Sequence, residues 1–351
     1  MTGVTSRLPE PALAASAAHP PDGPAVVTVR SPLRISLAGG GTDLPSYSSR
    51  YGGLVVGCAI DRYVGVTLFP RDFRGRLRTA VDTTVECDRA GNHPHPMVRA
   101  CLLRAGVDDG CQLVSFSDAP SGSGLGGSAA FAVSVLHAAA PGASARTLAE
   151  TAAAVEIDDL GRAVGKQDHY LAAYGGIRLL RFHPSGRVDP QPLELPAAVR
   201  AGLEARLLLF YSGTSRDAGA VLAEQNERTR SGNDDALRRL HAIRSIADEM
   251  VSALERRDLG AIGHLVNEHW SLKSGLGSRI SSPRLQALHD RAREAGASGA
   301  KLLGSGGGGF LLLVCPPERH AEVRRSMVAA GLRELPFRLA EGGSRAIRMP
   351  L

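Results

Sequence analysis

Residues 120–130 read Pro-Ser-Gly-Ser-Gly-Leu-Gly-Gly-Ser-Ala-Ala, and no other stretch of the chain is so plainly built for chemistry. An apolar run with strand character, Cys111–Phe116, leads in, and an alanine-rich helical run, Ala129–Ala140, leads out. Glycines at 122, 124, 126 and 127 remove the side chains that would hold a charged ligand off the backbone. The N–H groups of the turn and of the first helical turn can then converge on an anion, helped by the helix dipole. This is a phosphate cradle, but not a Walker A loop, because no Lys-Ser/Thr pair follows the last glycine. Nor is it read as the dinucleotide fingerprint, since the helix that follows opens with Ser128. Four glycines among three serines also exceed what a plain strand-to-helix turn requires.

Two further glycine-rich turns flank it in sequence. Gly39-Gly40-Gly41-Thr42-Asp43 follows a strand at Val26–Ser36, and Gly304-Ser305-Gly306-Gly307-Gly308-Gly309 precedes an apolar strand at Phe310–Cys315. Packing alone accounts poorly for three such loops; closure of their backbones around one highly charged substrate pair accounts for them well.

The intervening pattern supplies the elements that must position these loops. Leu54–Ile60, Tyr63–Phe69, Arg76–Ala80, Thr84–Cys87 and Cys111–Ser117 read as strands, and Pro96–Ala105 as a helix. Ala145–Val164 reads as one helix capped by Ser144. Gly175–His183 and Arg206–Tyr211 return to strand character. From Asp234 to Lys273 the pattern is helical with a break near Asp258, and Ser282-Pro283 opens a helix that ends before Gly296. A helix over Glu318–Ala330 and a terminal strand pair close the chain. Strands and helices without strict alternation predict an α+β fold.

The chain has 351 residues, more than the roughly 250–300 of a single core, which predicts two domains. We expect a disordered tail over residues 1–24, an N-terminal domain over 25–200 and a C-terminal domain over 201–351. No stretch approaches the roughly 18 apolar residues of a membrane span, and the Pro/Ala-rich start lacks the pattern of a signal peptide. Five cysteines without a C-x-x-C pair argue for a reducing, cytoplasmic setting and against a structural zinc site. The net charge of +6 comes from scattered arginines with 4% aromatics, so neither a nucleic acid nor a membrane is an expected partner. A basic surface suits a small anionic substrate. Of 41 basic residues only Lys166, Lys273 and Lys301 are lysines, each close to a segment that looks functional.

The order of the three loops resembles that of the GHMP kinases. Pro32-Leu33-Arg34-Ile35-Ser36-Leu37-Ala38-Gly39-Gly40-Gly41-Thr42-Asp43 is similar to their first motif, Pro120–Ala130 to the second and Lys301–Phe310 to the third. Ala38–Asp43 with Gly165-Lys166-Gln167-Asp168-His169-Tyr170 further resembles the heptose 7-phosphate kinases of that family, with the fucokinases close behind. The resemblance implies a two-domain fold: an N-terminal mixed α/β domain and a C-terminal ferredoxin-like α/β domain, with the active site between them.

It also implies roles. Asp168 would accept or orient the proton of the attacking sugar hydroxyl, and Arg34 would stabilise charge on the transferring phosphoryl group. Pro120, Ser121, Gly122, Ser123, Gly124, Leu125, Gly126, Gly127 and Ser128 would bind ATP. Ser128 and Glu156 would hold Mg²⁺, with Asp158 or Asp159 as alternatives to the glutamate; Gly127 stands where relatives commonly carry serine. Gly41, Thr42 and Asp43 would grip sugar hydroxyls, Gly175 and Gly176 would let the sugar approach the backbone, and Gly306 and Gly307 would complete the substrate site. Arg216 or Lys273 would meet a remote substrate phosphate. The implied activity is transfer of the γ-phosphate of ATP to the anomeric hydroxyl of D-glycero-D-manno-heptose 7-phosphate. The alternatives are a kinase for an unphosphorylated sugar and a catalytically silent binder; the oligomeric state stays open.

Overall fold

The computed structural model describes residues 24–69, 75–214 and 218–351. The expected tail, apart from Pro24, and the candidate Arg216 lie outside the described residues.

Two long antiparallel strands, β1 (Ala25–Ala38) and β2 (Gly53–Phe69), form the spine of the first sheet. β2 runs through both segments read as separate strands. The register of β1 on β2 shifts between Pro32 and Arg34. Such a bulge re-aims the side chain that follows it, here Arg34, whose backbone N–H reaches Leu125 O at 3.0 Å. Helix α1 (Pro45–Tyr51) joins β1 to β2 beyond the first glycine turn. β3 (Leu77–Ala80), β4 (Thr84–Cys87), α2 (Pro96–Arg104) and β5 (Gln112–Ser117) follow, with β5 beside β2.

Helix α3 (Gly127–Ala139) leaves the phosphate-type loop and is buried over nearly its whole length, which its small apolar side chains allow. Helix α4 (Ala145–Ala154) is capped by Ser144 Oγ, which accepts from Thr147 N at 3.1 Å. The predicted helix to Val164 ends sooner. A π-helical turn over Val155–Asp159 replaces it, and an irregular segment runs on to Lys166. Such widened turns gather at functional sites, and this one carries Glu156. Helix α5 (Gln167–Tyr174), which the sequence pattern did not indicate, then sets Asp168 in its first turn. β6 (Ile177–Phe182) and β7 (Val188–Pro192) complete this run of strands.

After α6 (Ala197–Glu204), β8 (Leu207–Tyr211) begins a second sheet. Helices α7 (Ala218–Arg230), α8 (Asp234–Glu255), α9 (Ala261–Ser274) and α10 (Pro283–Glu294) precede β9 (Gly299–Leu302) and β10 (Phe310–Val314), and α11 (His320–Ala329) leads to β11 (Arg333–Glu334). The strands are antiparallel in the order β11-β8-β10-β9, the 4-1-3-2 arrangement of a ferredoxin-like sheet. β12 (Arg345–Pro350) pairs with β1. The two final strands are therefore not a pair but belong to different sheets, and the end of the chain returns to the first.

The sheets meet where two glycine loops cross without side chains between them. A Cβ on Gly124 would lie 2.7 Å from Leu303 O, and one on Gly304 2.7 Å from Gly124 Cα. Phe310 N donates to Ser123 O at 3.0 Å, which fixes the second loop to the edge of the third. Gly304 also has a φ of +71°. Gly304→Ala should therefore lower unfolding stability by about 1–3 kcal/mol. Urea denaturation checks this; an unchanged midpoint would mean that the loops can separate freely.

Candidate active site

A cleft of about 970 Å³ lies between the three glycine loops. It is within the usual range for ligand sites and has room for a nucleotide and a second small molecule. Of the predicted residues, Arg34, Gly41, Asp43, Glu156, Asp168, Lys273 and Gly306 line it, as do Pro120–Gly124 and Gly126–Ser128.

In the second loop Gly122, Gly124 and Gly126 have φ values of +67°, +83° and +77°. Alternate left-handed residues turn successive N–H groups toward one concave side, the geometry of an anion nest that continues into the N-terminus of α3. A Cβ on Gly127 would meet nothing within 4 Å, so the absence of serine there has no steric cause. Leu125 faces the core instead of the cleft, and its carbonyl receives Arg34 N.

Arg34 is only 4% exposed. Its Nε and Nη2 donate to the two carboxylate oxygens of Asp168, both at 2.6 Å, and its Nη1 donates to Gly124 O at 2.5 Å. One guanidinium thus fixes a carboxylate and the phosphate-type loop together, which a lysine could not do. Asp43 is buried beside this pair. Its Oδ1 accepts from Gly41 N at 3.0 Å and Gln167 Nε2 at 3.1 Å, and its Oδ2 from Gln167 N at 3.4 Å. Burial, and then the charge of Asp168, push its carboxyl above the ordinary value against those donors.

Lys273 is buried on α9, with Nζ donating to Gly304 O at 2.5 Å. Burial lowers it to about 8; Asp43 and Asp168 work against that lowering and Arg34 reinforces it. It therefore shares the cleft wall with the carboxylates and is within reach of their charge, not remote from them.

Ser128 and Glu156 form a second group. Ser128 Oγ donates to Glu156 Oε1 at 2.8 Å, and Arg162 Nη1 lies 3.0 Å from both Ser128 Oγ and Glu156 Oε2. Burial alone would raise the Glu156 carboxyl, but His169, Ser128 and Arg162 together hold it down at about 2. A hydroxyl and an ionised carboxylate beside an anion nest suit a hard divalent cation that keeps most of its ligands from water and phosphate. Asp159 is instead held by Arg104 through two bonds of 2.7 Å, and Asp158 is exposed; neither lines the cleft.

Three other sequence expectations change. Thr42 is fully buried, and its Oγ1 bonds Gly39 O and the backbone of Leu54, so it braces the first turn and does not face the cleft. Gly175 and Gly176 face the returning segment at Glu341–Gly343, where Gly175 leaves no room for a Cβ. Gly307 lies outside the cleft wall, with its N–H on Ile280 O at 2.8 Å. Sequence reasoning missed Arg162 and Gln225, which line the cleft, and no motif marks either.

The family described as GHMP kinases N terminal domain matches residues 92–176, and GHMP kinases C terminal matches 250–333. D-glycero-alpha-D-manno-heptose 7-phosphate kinase of Campylobacter jejuni is 30% identical over 316 residues, which cover 86% of this chain and 93% of that protein. L-fucokinase/L-fucose-1-P guanylyltransferase of Bacteroides fragilis is 28% identical over 86% of this chain but only 36% of its own length. Among solved structures, a D-glycero-D-manno-heptose 1-phosphate kinase from Bacteroides thetaiotaomicron superposes with a TM-score of 0.75 at 25% identity, covering 92% of this chain and 98% of that one.

The low value at Glu156 carries a sign. Its carboxyl falls from 4.5 to about 2 on folding, so the stabilisation it brings is complete above the unfolded value and is lost as the pH drops toward the folded one. The difference in unfolding free energy between the wild type and Glu156→Gln should be flat above about pH 5 and shrink steadily below it. Urea titrations at several pH values check this; a difference independent of pH would detach Glu156 from its partners.

Proposed function

We propose, from the premise that this chain belongs to the GHMP kinase family and is an ATP-dependent kinase acting on a sugar hydroxyl, that the acceptor is the anomeric hydroxyl of D-glycero-D-manno-heptose 7-phosphate and the product the 1,7-bisphosphate. The observation that carries the reading is the pairing of Arg34 with both oxygens of Asp168 and with the phosphate-type loop. Phosphoryl transfer asks for positioning and charge stabilisation more than for proton removal. A carboxylate pinned by two bonds is suited to orient a hydroxyl, and the guanidinium beside it to meet charge developing on the phosphoryl oxygens.

The nest at Pro120–Ser128 would hold the phosphates of ATP. Ser128 and Glu156 would hold Mg²⁺, which when bound neutralises charge on the β- and γ-phosphates. Asp43 would accept a sugar hydroxyl, with the backbones of Gly41 and Gly306 close by. The heptose assignment draws support from the likeness to the Campylobacter kinase along nearly the full length of both chains. Lys273 lies close to Asp43 and Asp168, so it belongs to the reacting end of the sugar. Arg216 is left as the residue proposed for the distant 7-phosphate.

Asp168→Asn should lower unfolding stability, because it leaves the buried Arg34 charge without its carboxylate, and turnover of the folded variant should fall roughly a hundredfold or more, the usual worth of a positioned base. ADP release by the purified variant checks this, and near-normal turnover would remove Asp168 from the chemistry. On a panel of heptose 7-phosphate, the free heptose, L-fucose and D-galactose, the wild type should release ADP fastest with the phosphate ester. Faster release with a neutral sugar would replace the heptose reading with a fucokinase-like one, and no release with any of them would leave a silent binder.

A further inference from the structure

Gln225 is 1% exposed, lines the cleft, and has no hydrogen-bond partner for either Oε1 or Nε2 among the described residues. It packs over the first glycine turn: a Cβ on Gly41 would lie 3.0 Å from Gln225 Nε2. Across that turn, Gln167 gives its Nε2 to Asp43 and leaves its own Oε1 buried and unpartnered. Two carboxamides with open hydrogen-bonding positions thus stand at the first glycine turn, Gln225 against Gly41 and Gln167 against Asp43.

The neighbours of Gln225 hold it in place. Asn226 accepts from Ser46 Oγ at 2.5 Å and donates to Ala163 O at 3.2 Å, which ties α7 to α1 and to the segment before α5. Glu224 accepts from Ser278 N at 2.7 Å and from Ser278 Oγ at 3.0 Å, which ties α7 to the loop after α9. Gln225 is therefore presented from a fixed helix, and its open amide is not a loose end.

A buried donor and acceptor without partners weaken a fold unless a ligand supplies the bonds. The chemistry of the pair says which ligand. A carboxamide offers two donors on nitrogen and an acceptor on oxygen, which matches two neighbouring hydroxyls, one accepting and one donating. A phosphate satisfies only the donors, and a metal ion finds a poor ligand in a neutral amide. We propose that Gln225, together with Gln167 Oε1, is a specificity-determining subsite that reads adjacent hydroxyls of the acceptor polyol on the side of Gly41 and Asp43. The inference rests on the sugar-kinase reading above. It adds a residue from the second half of the chain, so the sugar is gripped from both sides of the cleft.

The test uses the full-length enzyme and whichever sugar of the panel gives ADP with the wild type. Gln225→Leu keeps the bulk and removes both polar atoms. It should raise the KM of that sugar about 10- to 100-fold, the range for bonds to a buried site, while the KM of ATP moves less than about twofold. Without ligand the variant should be as stable as the wild type or more so, because it removes an unpartnered buried amide. Monodeoxy analogues of the sugar complete a cycle: one that the wild type disfavours should lose that penalty in Gln225→Leu. Penalties unchanged for every analogue, or ATP and sugar KM values rising together, would overturn the inference while leaving the kinase reading intact. No ADP release with any sugar would overturn both.

Discussion

Arg34 is nearly inaccessible to water, and a buried guanidinium is tolerable only with all its bonds made. Its partners come from two distant parts of the chain: Asp168 on α5, and the second loop, where its side chain meets the carbonyl of Gly124 and its backbone N–H that of Leu125. Satisfying one charge therefore assembles the site. The bulge before Arg34 aims the side chain, and the planar fork then dictates where a carboxylate and a carbonyl must stand. Removing one partner would leave the other charge buried, so the pair holds position as well as chemistry.

The glycine loops obey a complementary constraint. At Gly124 and Gly304 backbone meets backbone, and any side chain would force the two sheets apart. The same freedom from side chains lets an anion come close to the backbone on the other side of the loop. Close packing and ligand access are thus consequences of one feature, which explains why the loops that join the sheets also line the cleft.

This is also why so much of the site was legible in the sequence, and where legibility stops. A backbone that must take left-handed angles leaves glycine in the sequence, so the three loops and their order were visible. But glycine records only that something comes close. Gly175 and Gly176 carry the same signature as Gly124, yet what approaches them is the returning segment at Glu341–Gly343 and not a ligand. Thr42 misled for a related reason, since a hydroxyl that braces a turn reads like one that meets a substrate. The π-helical turn at Val155–Asp159 depends on where α4 must end to bring Glu156 to Ser128, a tertiary demand that alanine-rich helical periodicity hides. Gln225 and Arg162 left no trace, because their meaning comes from partners far away in the chain.

The lysines show what the fold adds to composition. Lys166 bonds Glu150 and is half-buried, but Lys273 and Lys301 lie within the fold, with His269 beside them. Burial, then the charges of Lys273 and Arg34, push Lys301 far below its ordinary value; burial and both lysines do the same to His269, while burial and Arg34 bring Lys273 to about 8 against Asp43 and Asp168. Charge on Lys273 opposes protonation of Lys301, and charge on either lysine opposes protonation of His269, so the cluster carries less charge than its residue types suggest. Asp43 is held the opposite way, raised by burial and by Asp168. Of these groups Lys273 and Asp43 line the cleft, whereas Lys301 and His269 do not. A polyanion entering the nest at Pro120–Ser128 would favour protonation of the cations, and the cations in turn would favour the polyanion. Such reciprocity makes the affinity of the site for a charged ligand depend on the lysines behind the loops as well as on the N–H groups that touch it.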